Sequence, residues 1–319
     1  MKAPEVSVVV PAFNEGVLLS HLVGRLREVL GALDLEYEIL IVNDGSTDET
    51  QFVLEELSDS DPRLVPVHLT RNFGKEAALA AGLTIAEGRA VVFLDADLQH
   101  PPELIPDMVR EWRSGYDVVN AVKRKRENES LVYRGFSTLF NRLLSREIGY
   151  NMAGASDFKL IDRQVAEVLL ACPERNRFFR GLVAWVGFRV KNLEFDVRAR
   201  EQGLTKWSLV SLVRYSVSSI LAFSSLPLRV VGYAGFIVAG LGVLLLAQTL
   251  LRYAMGTAAI GFTTVIAVQI LLGGMILMAL GVISLYLSKL YEEQKQRPIF
   301  IVRKPRARVR DVSDFTPGE

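Results

Sequence analysis

Cysteine is almost absent. Cys172 stands alone in 319 residues, so an intrachain disulfide framework and a multi-cysteine metal site are both excluded. Histidine is nearly as scarce, at three residues, which leaves no His/Cys constellation for zinc. Net charge is missing as well: 37 Lys and Arg against 36 Asp and Glu leave +1. A nucleic-acid binder normally carries a basic surplus, so no nucleic-acid partner is expected. No G-x-G-x-x-G follows the first apolar run and no G-x-x-x-x-G-K-[ST] occurs. The dinucleotide fingerprint and the P-loop are thereby removed. What the chain has in excess is apolar residue. Half of it is hydrophobic and its mean hydropathy is +0.25, beside 23% charged residues. Both together point to an apolar excess concentrated in one place.

That place is the C-terminal third. No charge interrupts Val230 to Leu251, and after Arg252 none interrupts Tyr253 to Ser288. A bilayer core of about 30 Å needs about 20 helical residues. The first run is one span. The second is too long for one, so a loop over 254–264 and a span over 265–288 are predicted. The flanks carry Lys206, Arg214 and Arg229 before, and Lys289, Lys295, Arg297, Arg303 and Lys304 after. The intervening loop offers only Arg252. The positive-inside bias therefore puts both flanks, and both termini, in the cytoplasm. The apolar stretch Val6–Val10 is too short for a signal peptide. Leu209, Leu212, Val213, Val217, Ile220 and Leu221 share one helical face of 208–226, which suits either the membrane interface or an ordinary core-facing helix.

The N-terminal part alternates in period. Strands are predicted over 6–10, 38–42, 64–69, 90–94 and 117–121. Helices are predicted over 17–30, 48–57, 75–87 and 103–112. Such alternation indicates βαβ units and a parallel sheet covered on both faces. Ligands bind such sheets at the carboxyl ends of the strands. Those ends read Pro11-Ala12-Phe13-Asn14-Glu15, Asn43-Asp44-Gly45-Ser46, Thr70-Arg71-Asn72-Phe73-Gly74-Lys75 and Asp95-Ala96-Asp97-Leu98-Gln99. Turn chemistry explains the second segment by itself. It explains poorly two carboxylates at i and i+2 with an amide at i+4. Asp95 and Asp97 can converge on one hard divalent cation, Mg²⁺ or Mn²⁺, with Gln99 adding an amide oxygen.

The segments Val8-Val9-Val10-Pro11-Ala12-Phe13-Asn14-Glu15, Val42-Asn43-Asp44-Gly45-Ser46-Thr47-Asp48, Arg71-Asn72-Phe73-Gly74-Lys75-Glu76 and Leu94-Asp95-Ala96-Asp97-Leu98-Gln99-His100 resemble the family 2 glycosyltransferases of GT-A fold. Two further segments, Glu174–Gly187 and Arg200–Trp207, are similar to the polyprenyl-phosphate members. These are the bactoprenol glucosyltransferases and, more distantly, the dolichol-phosphate mannose synthases. The resemblance covers about residues 5–303. It implies an inverting, metal-dependent transfer of sugar, UDP-glucose being the expected donor, to the phosphate of undecaprenyl phosphate. The product would serve cell-envelope glycan modification. It implies that Pro11, Phe13, Glu15 and Asp44 hold the nucleoside. Asp97 and Gln99 would bind Mg²⁺ or Mn²⁺, with Asp95 beside metal and nucleotide and Ala96 in the same turn. Lys123 or Arg124, with Arg134, Arg200 and Lys206, would meet the diphosphate and the lipid phosphate, where guanidinium forks suit phosphate oxygens. Asn43 replaces an acidic residue of some relatives, a position that bears on base recognition. Asp157 aligns with a residue suspected as catalytic base; it either takes a proton or positions sugar or acceptor. Ser156-Asp157 equally suits a turn.

The expected organisation is an α/β GT-A domain with a mainly parallel sheet over 1–205, an amphipathic segment over 206–228, a two-helix hairpin over 229–288 and a basic tail with a short strand over 289–319. The resemblance implies that this tail packs on a neighbouring subunit of a homotetramer in a bacterial inner membrane. A processive polysaccharide synthase normally shows Gln-x-x-Arg-Trp and more spans, and neither is present. A catalytically inactive membrane scaffold would not need the Asp95/Asp97/Gln99 set.

Overall fold

A computed structural model describes residues 3–123, 155–172, 174, 178–195, 226–256 and 261–303. In chain order the elements are β1 (Val6–Ala12), α1 (Gly16–Gly31), β2 (Tyr37–Asn43), α2 (Thr50–Ser60), β3 (Leu64–His68), α3 (Lys75–Ile85) and β4 (Ala90–Phe93). There follow a single 3₁₀ turn (Pro102–Leu104), α4 (Ile105–Arg113), β5 (Val118–Lys123), β6 (Ala155–Asp162), α5 (Arg163–Ala171), α6 (Phe179–Trp185) and β7 (Val190–Phe195). Two long helices close the series, α7 (Leu226–Ala254) and α8 (Phe262–Gln294).

The seven strands make one sheet in the order β3-β2-β1-β4-β6-β5-β7. β1 pairs in parallel with β2 and β4, β2 with β3, and β5 with β7. β6 alone runs antiparallel, between β4 and β5. The expectation of a mainly parallel sheet thus holds, since every strand but β6 runs in one direction. β5 is not next to β4; β6, which the sequence pattern left unassigned, separates them.

Local chemistry accounts for the elements. β1 and β4 are short β-branched runs with no exposed residue on either face in their central stretch, as a sheet covered on both sides requires. β1 runs two residues past its expected end at Val10, through Pro11 to Ala12. The odd residues of β1 face β4, since Leu94 N donates to Val9 O, and the even ones face β2, since Asp44 N donates to Ala12 O. Pro11 therefore lacks its N–H on the side where β4 has already ended at Phe93, and no ladder bond is lost. α3 lies close on the sheet because Gly82 has no Cβ: one built there would meet a Val9 methyl at 2.3 Å.

Two apolar cores result, one on each face. Leu19, Leu22, Leu26, Met108 and Phe158 belong to the first. Val9, Phe93, Ile161, Leu169 and Phe179 belong to the second. α7 and α8 contrast with both: Pro227–Ala254 and Val268–Gln294 are long and apolar enough to cross a membrane, and neither is buried against protein. After α8 the chain comes back to the sheet. Leu69 and Val302 form an antiparallel bridge, Thr70 N donates to Ile301 O at 3.0 Å, and Arg303 N donates to His68 O at 2.7 Å. Phe300 packs against the second core. The tail expected on a neighbouring subunit here lies along β3, the edge strand of its own sheet.

Candidate active site

The site is assembled at the carboxyl ends of β1, β2, β3 and β4. After β1, Asn14 takes a left-handed backbone (φ 54°). Its backbone N donates to Ser46 Oγ at 3.0 Å, while its side-chain Oδ1 accepts from Thr47 N at 2.9 Å. The loops after β1 and β2 are thereby laced together. Pro11 ends β1, Phe13 is exposed beside it, and Glu15 precedes α1. Asn43 is buried. Its side chain is committed to Ser46 N (2.9 Å) and to His68 Nδ1 (3.2 Å), which makes it a turn-forming residue.

Asp44 is also buried, and both of its oxygens are engaged. Phe73 N donates to Oδ1 at 2.7 Å and Gly74 N to Oδ2 at 2.9 Å. Burial raises its pKa and the two N–H groups oppose that rise. The expected nucleoside carboxylate therefore also pins the loop after β3. Gly45 (φ 65°) is required beneath this loop: a Cβ there would come within 2.3 Å of Arg71 C.

After β4 the chain makes a tight polar turn. Gln99 N donates to Asp97 Oδ1 at 3.1 Å, Leu98 is left-handed (φ 58°), and Ala96 is buried behind the turn. Asp95, Asp97 and Gln99 are each partly exposed. Two carboxylates and an amide on one turn are a hard-oxygen donor set, and they fit Mg²⁺ or Mn²⁺. Among the described residues no group of three or more His, Cys, Asp or Glu side chains could hold a metal, so the donor set depends on Gln99 and on ligand oxygens.

The principal residues that sequence reasoning gave no role are those around Asp157. Asp157 lies in β6, not in a turn. Lys75 Nζ sits 2.6 Å from Asp95 Oδ1 and 2.7 Å from Asp157 Oδ2. Arg180, at the start of α6, donates to Asp157 Oδ1 from Nε and Nη2 at 3.1 and 3.0 Å. Burial opposes ionisation of Asp157, but Arg180 and Lys75 outweigh it and hold the carboxyl far below the usual carboxylate range. Lys159, two residues on and so on the same face of β6, is fully buried and over the Phe179 ring at 5.6 Å. Burial pushes its pKa down to about 8. Glu76 accepts from Phe179 N at 2.8 Å, and burial pushes its pKa up to about 7. Lys75 and Arg180 stood in quoted segments; the signal that could have found them was two cations placed in otherwise apolar or turn-forming surroundings.

The structure thus brings Pro11, Phe13, Glu15, Asp44, Asp95, Ala96, Asp97 and Gln99 to one end of the sheet, and joins Asp157 to Asp95 through Lys75. Lys123 ends β5. Arg124, Arg134, Arg200 and Lys206, with 206–225 of the expected amphipathic segment over 206–228, lie outside the described residues, and 226–228 belong to α7.

Comparison with known proteins agrees in kind. The sequence model described as glycosyl transferase family 2 matches residues 7–170. An uncharacterized glycosyltransferase of Synechocystis is 42% identical over 93% of this chain and 94% of its own. A bactoprenol glucosyl transferase of Shigella phage SfII is 36% identical over 94% of this chain and 98% of its own. Among solved structures, glucosyl-3-phosphoglycerate synthase of Mycobacterium tuberculosis in complex with UDP is similar with a TM-score of 0.47 and 22% identity, over 69% of this chain and 79% of that one.

Proposed function

The chain belongs to glycosyl transferase family 2, and from that premise we propose that it moves glucose from UDP-glucose onto the phosphate of undecaprenyl phosphate. The observation that carries this reading is the pairing of an acidic strand-end site with two long apolar helices, in a chain matched along 94% of its length by a bactoprenol glucosyl transferase. A lipid phosphate keeps its tail in the bilayer, so only its head can reach a site held at the membrane surface.

In the reaction the bond between the anomeric carbon and the diphosphate oxygen breaks, and a bond to a phosphate oxygen of the acceptor forms on the opposite face. Configuration is inverted and the nucleoside diphosphate leaves. A phosphate monoester has a second pKa of about 6, so it attacks largely as a dianion without a base. A carboxyl held as far down as Asp157 is a poor proton acceptor at neutral pH. Asp157 therefore works by position: it fixes Arg180 and Lys75 beside the reacting groups. Pro11, Phe13, Glu15 and Asp44 hold the nucleoside. Asp97 and Gln99, with Asp95, would hold Mg²⁺ or Mn²⁺, which when bound offsets negative charge on the leaving diphosphate. Lys123 or Arg124, Arg134, Arg200 and Lys206 supply the cations that two phosphates need. The chain sits in a bacterial inner membrane with its catalytic domain and both termini cytoplasmic.

The test is transfer by the purified full-length protein. Labelled UDP-glucose, undecaprenyl phosphate and Mn²⁺ are expected to give one labelled lipid product. A long water-soluble polymer would instead indicate a processive synthase, and no transfer from any nucleotide sugar an inactive scaffold. Asp97→Ala is expected to cut turnover by about 1000-fold, about 4 kcal/mol of barrier, with an unchanged melting temperature. Full activity in that variant would overturn the metal assignment.

A further inference from the structure

Lys75 occupies a position that helix electrostatics disfavours. It is the first residue of α3, where the positive end of the helix dipole repels a cation. Tertiary contacts hold it there. The two peptide units just before it, at Phe73 and Gly74, hang from the Asp44 carboxylate. Its tip is shared between Asp95, at the end of β4, and Asp157, on β6. One side chain thus touches the metal turn and the strand whose Asp157 holds Arg180, while its backbone is tied to the nucleoside carboxylate. Lys75 is also reachable: 40% of its side chain is exposed, against 18% for Asp157.

Asp95 is already engaged: its Oδ1 lies 2.6 Å from the Lys75 ammonium and its Oδ2 lies 3.7 Å from His100 Nδ1. A cation arriving at Asp95 meets the Lys75 ammonium at the same carboxylate. Two cations competing for one carboxylate repel each other. Lys75 has a second carboxylate to fall back on, and Asp157 is that carboxylate.

We propose that Lys75 is a positioning residue that couples the two halves of the site, moving from a place shared by Asp95 and Asp157 to Asp157 alone when a divalent cation engages Asp95. This rests on the reading of Asp95, Asp97 and Gln99 as the metal turn. The ligand that drives the shift is a divalent cation, free or carried by a nucleoside diphosphate. Asp157 senses it only through Lys75.

Binding of Mn²⁺ alone to the full-length protein in detergent, followed by electron paramagnetic resonance with Asp97→Ala as the blank, tests the coupling without sugar or lipid. Lys75→Met removes the competitor and is expected to tighten Mn²⁺ binding about fivefold, the scale of one partly exposed ion pair. Asp157→Asn leaves Lys75 with Asp95 only and is expected to weaken Mn²⁺ binding about threefold. In the Lys75→Met background Asp157→Asn is expected to change nothing, which is the signature of a coupled pair. Lys75→Arg is expected to keep the sensitivity to Asp157→Asn, and it serves if Lys75→Met folds poorly. Equal effects of Asp157→Asn in both backgrounds, no change with Lys75→Met, or no Mn²⁺ binding above the blank would overturn the proposal. Intact coupling in a protein that transfers no sugar to a polyprenyl phosphate would instead overturn the proposed function and leave the Lys75 link standing.

Discussion

The same side chains lead opposite lives in the two regions of this protein. In the sheet domain Leu22, Leu40, Val92 and Phe93 are wholly buried. In α7 and α8, Leu244, Leu251, Leu271 and Leu277 are mostly exposed, and neither helix is covered by protein. Polar groups are reversed as well. The sheet domain carries ionisable residues on its helices, at its strand ends and in the cluster around Asp157, whereas α7 has no charge between Arg229 and Arg252. The difference is one of solvent. A sheet domain in water must hide its apolar surface; a helix that crosses a bilayer may show all of it, provided its backbone is internally hydrogen-bonded.

The largest expected effect separates the two regions by a single type of change. Phe93→Ala should cost about 3–5 kcal/mol of stability, because the ring is fully buried against Phe179 at 4.4 Å and leaves a cavity. Leu277→Ala, at a side chain 70% exposed, should move thermal unfolding of the sheet domain by less than about 0.5 kcal/mol. Equal losses in chemical denaturation of the two variants would mean that α8 is a core helix after all. Next in size is Leu277→Lys. A lysine near the middle of a span costs about 3 kcal/mol of insertion, so membrane-fraction yield should fall while any inserted protein keeps its nucleotide affinity. Undiminished yield would break the contrast from the other side.

The smallest effect lies inside the sheet domain. Glu76 has a pKa near 7 in the folded protein, against an ordinary 4.5. The folded state therefore binds more protons than the unfolded state between those values, and stability falls as pH rises through that window. Glu76→Gln still accepts from Phe179 N and lacks the buried charge. It should melt at the same temperature as the parent at pH 4, and higher by a few degrees, about 2 kcal/mol, at pH 8. A constant difference across that range would show that Glu76 does not titrate there.

Much of this was legible in advance, and the reasons differ by element. β1, β2 and β4 announced themselves as apolar runs ending in Pro, Asn-Asp-Gly or Asp-x-Asp, because a strand buried on both faces has little room for a polar residue. The two long helices were legible for the same reason. β6 was not. Its sequence Ala155-Ser156-Asp157-Phe158-Lys159-Leu160 puts an acid and a base on one face, and neither favours a strand. They are buried there only because α3 and α6 bring Lys75, Glu76 and Arg180 to meet them, which is a tertiary fact. Pro11 misled for the opposite reason: a local rule stopped β1 early, where the neighbouring strand had already made the missing donor harmless.

The path of the chain at the two edges of the sheet has one more consequence. β7 is one outer strand, and the sequence runs from it toward the apolar hairpin. Residues 301–303 come back from that hairpin onto β3, the outer strand on the far side. Seven strands at about 4.8 Å spacing set these edges about 29 Å apart. The returning tail thereby occupies backbone groups at the end of β3 that an open edge strand would otherwise present to a second chain.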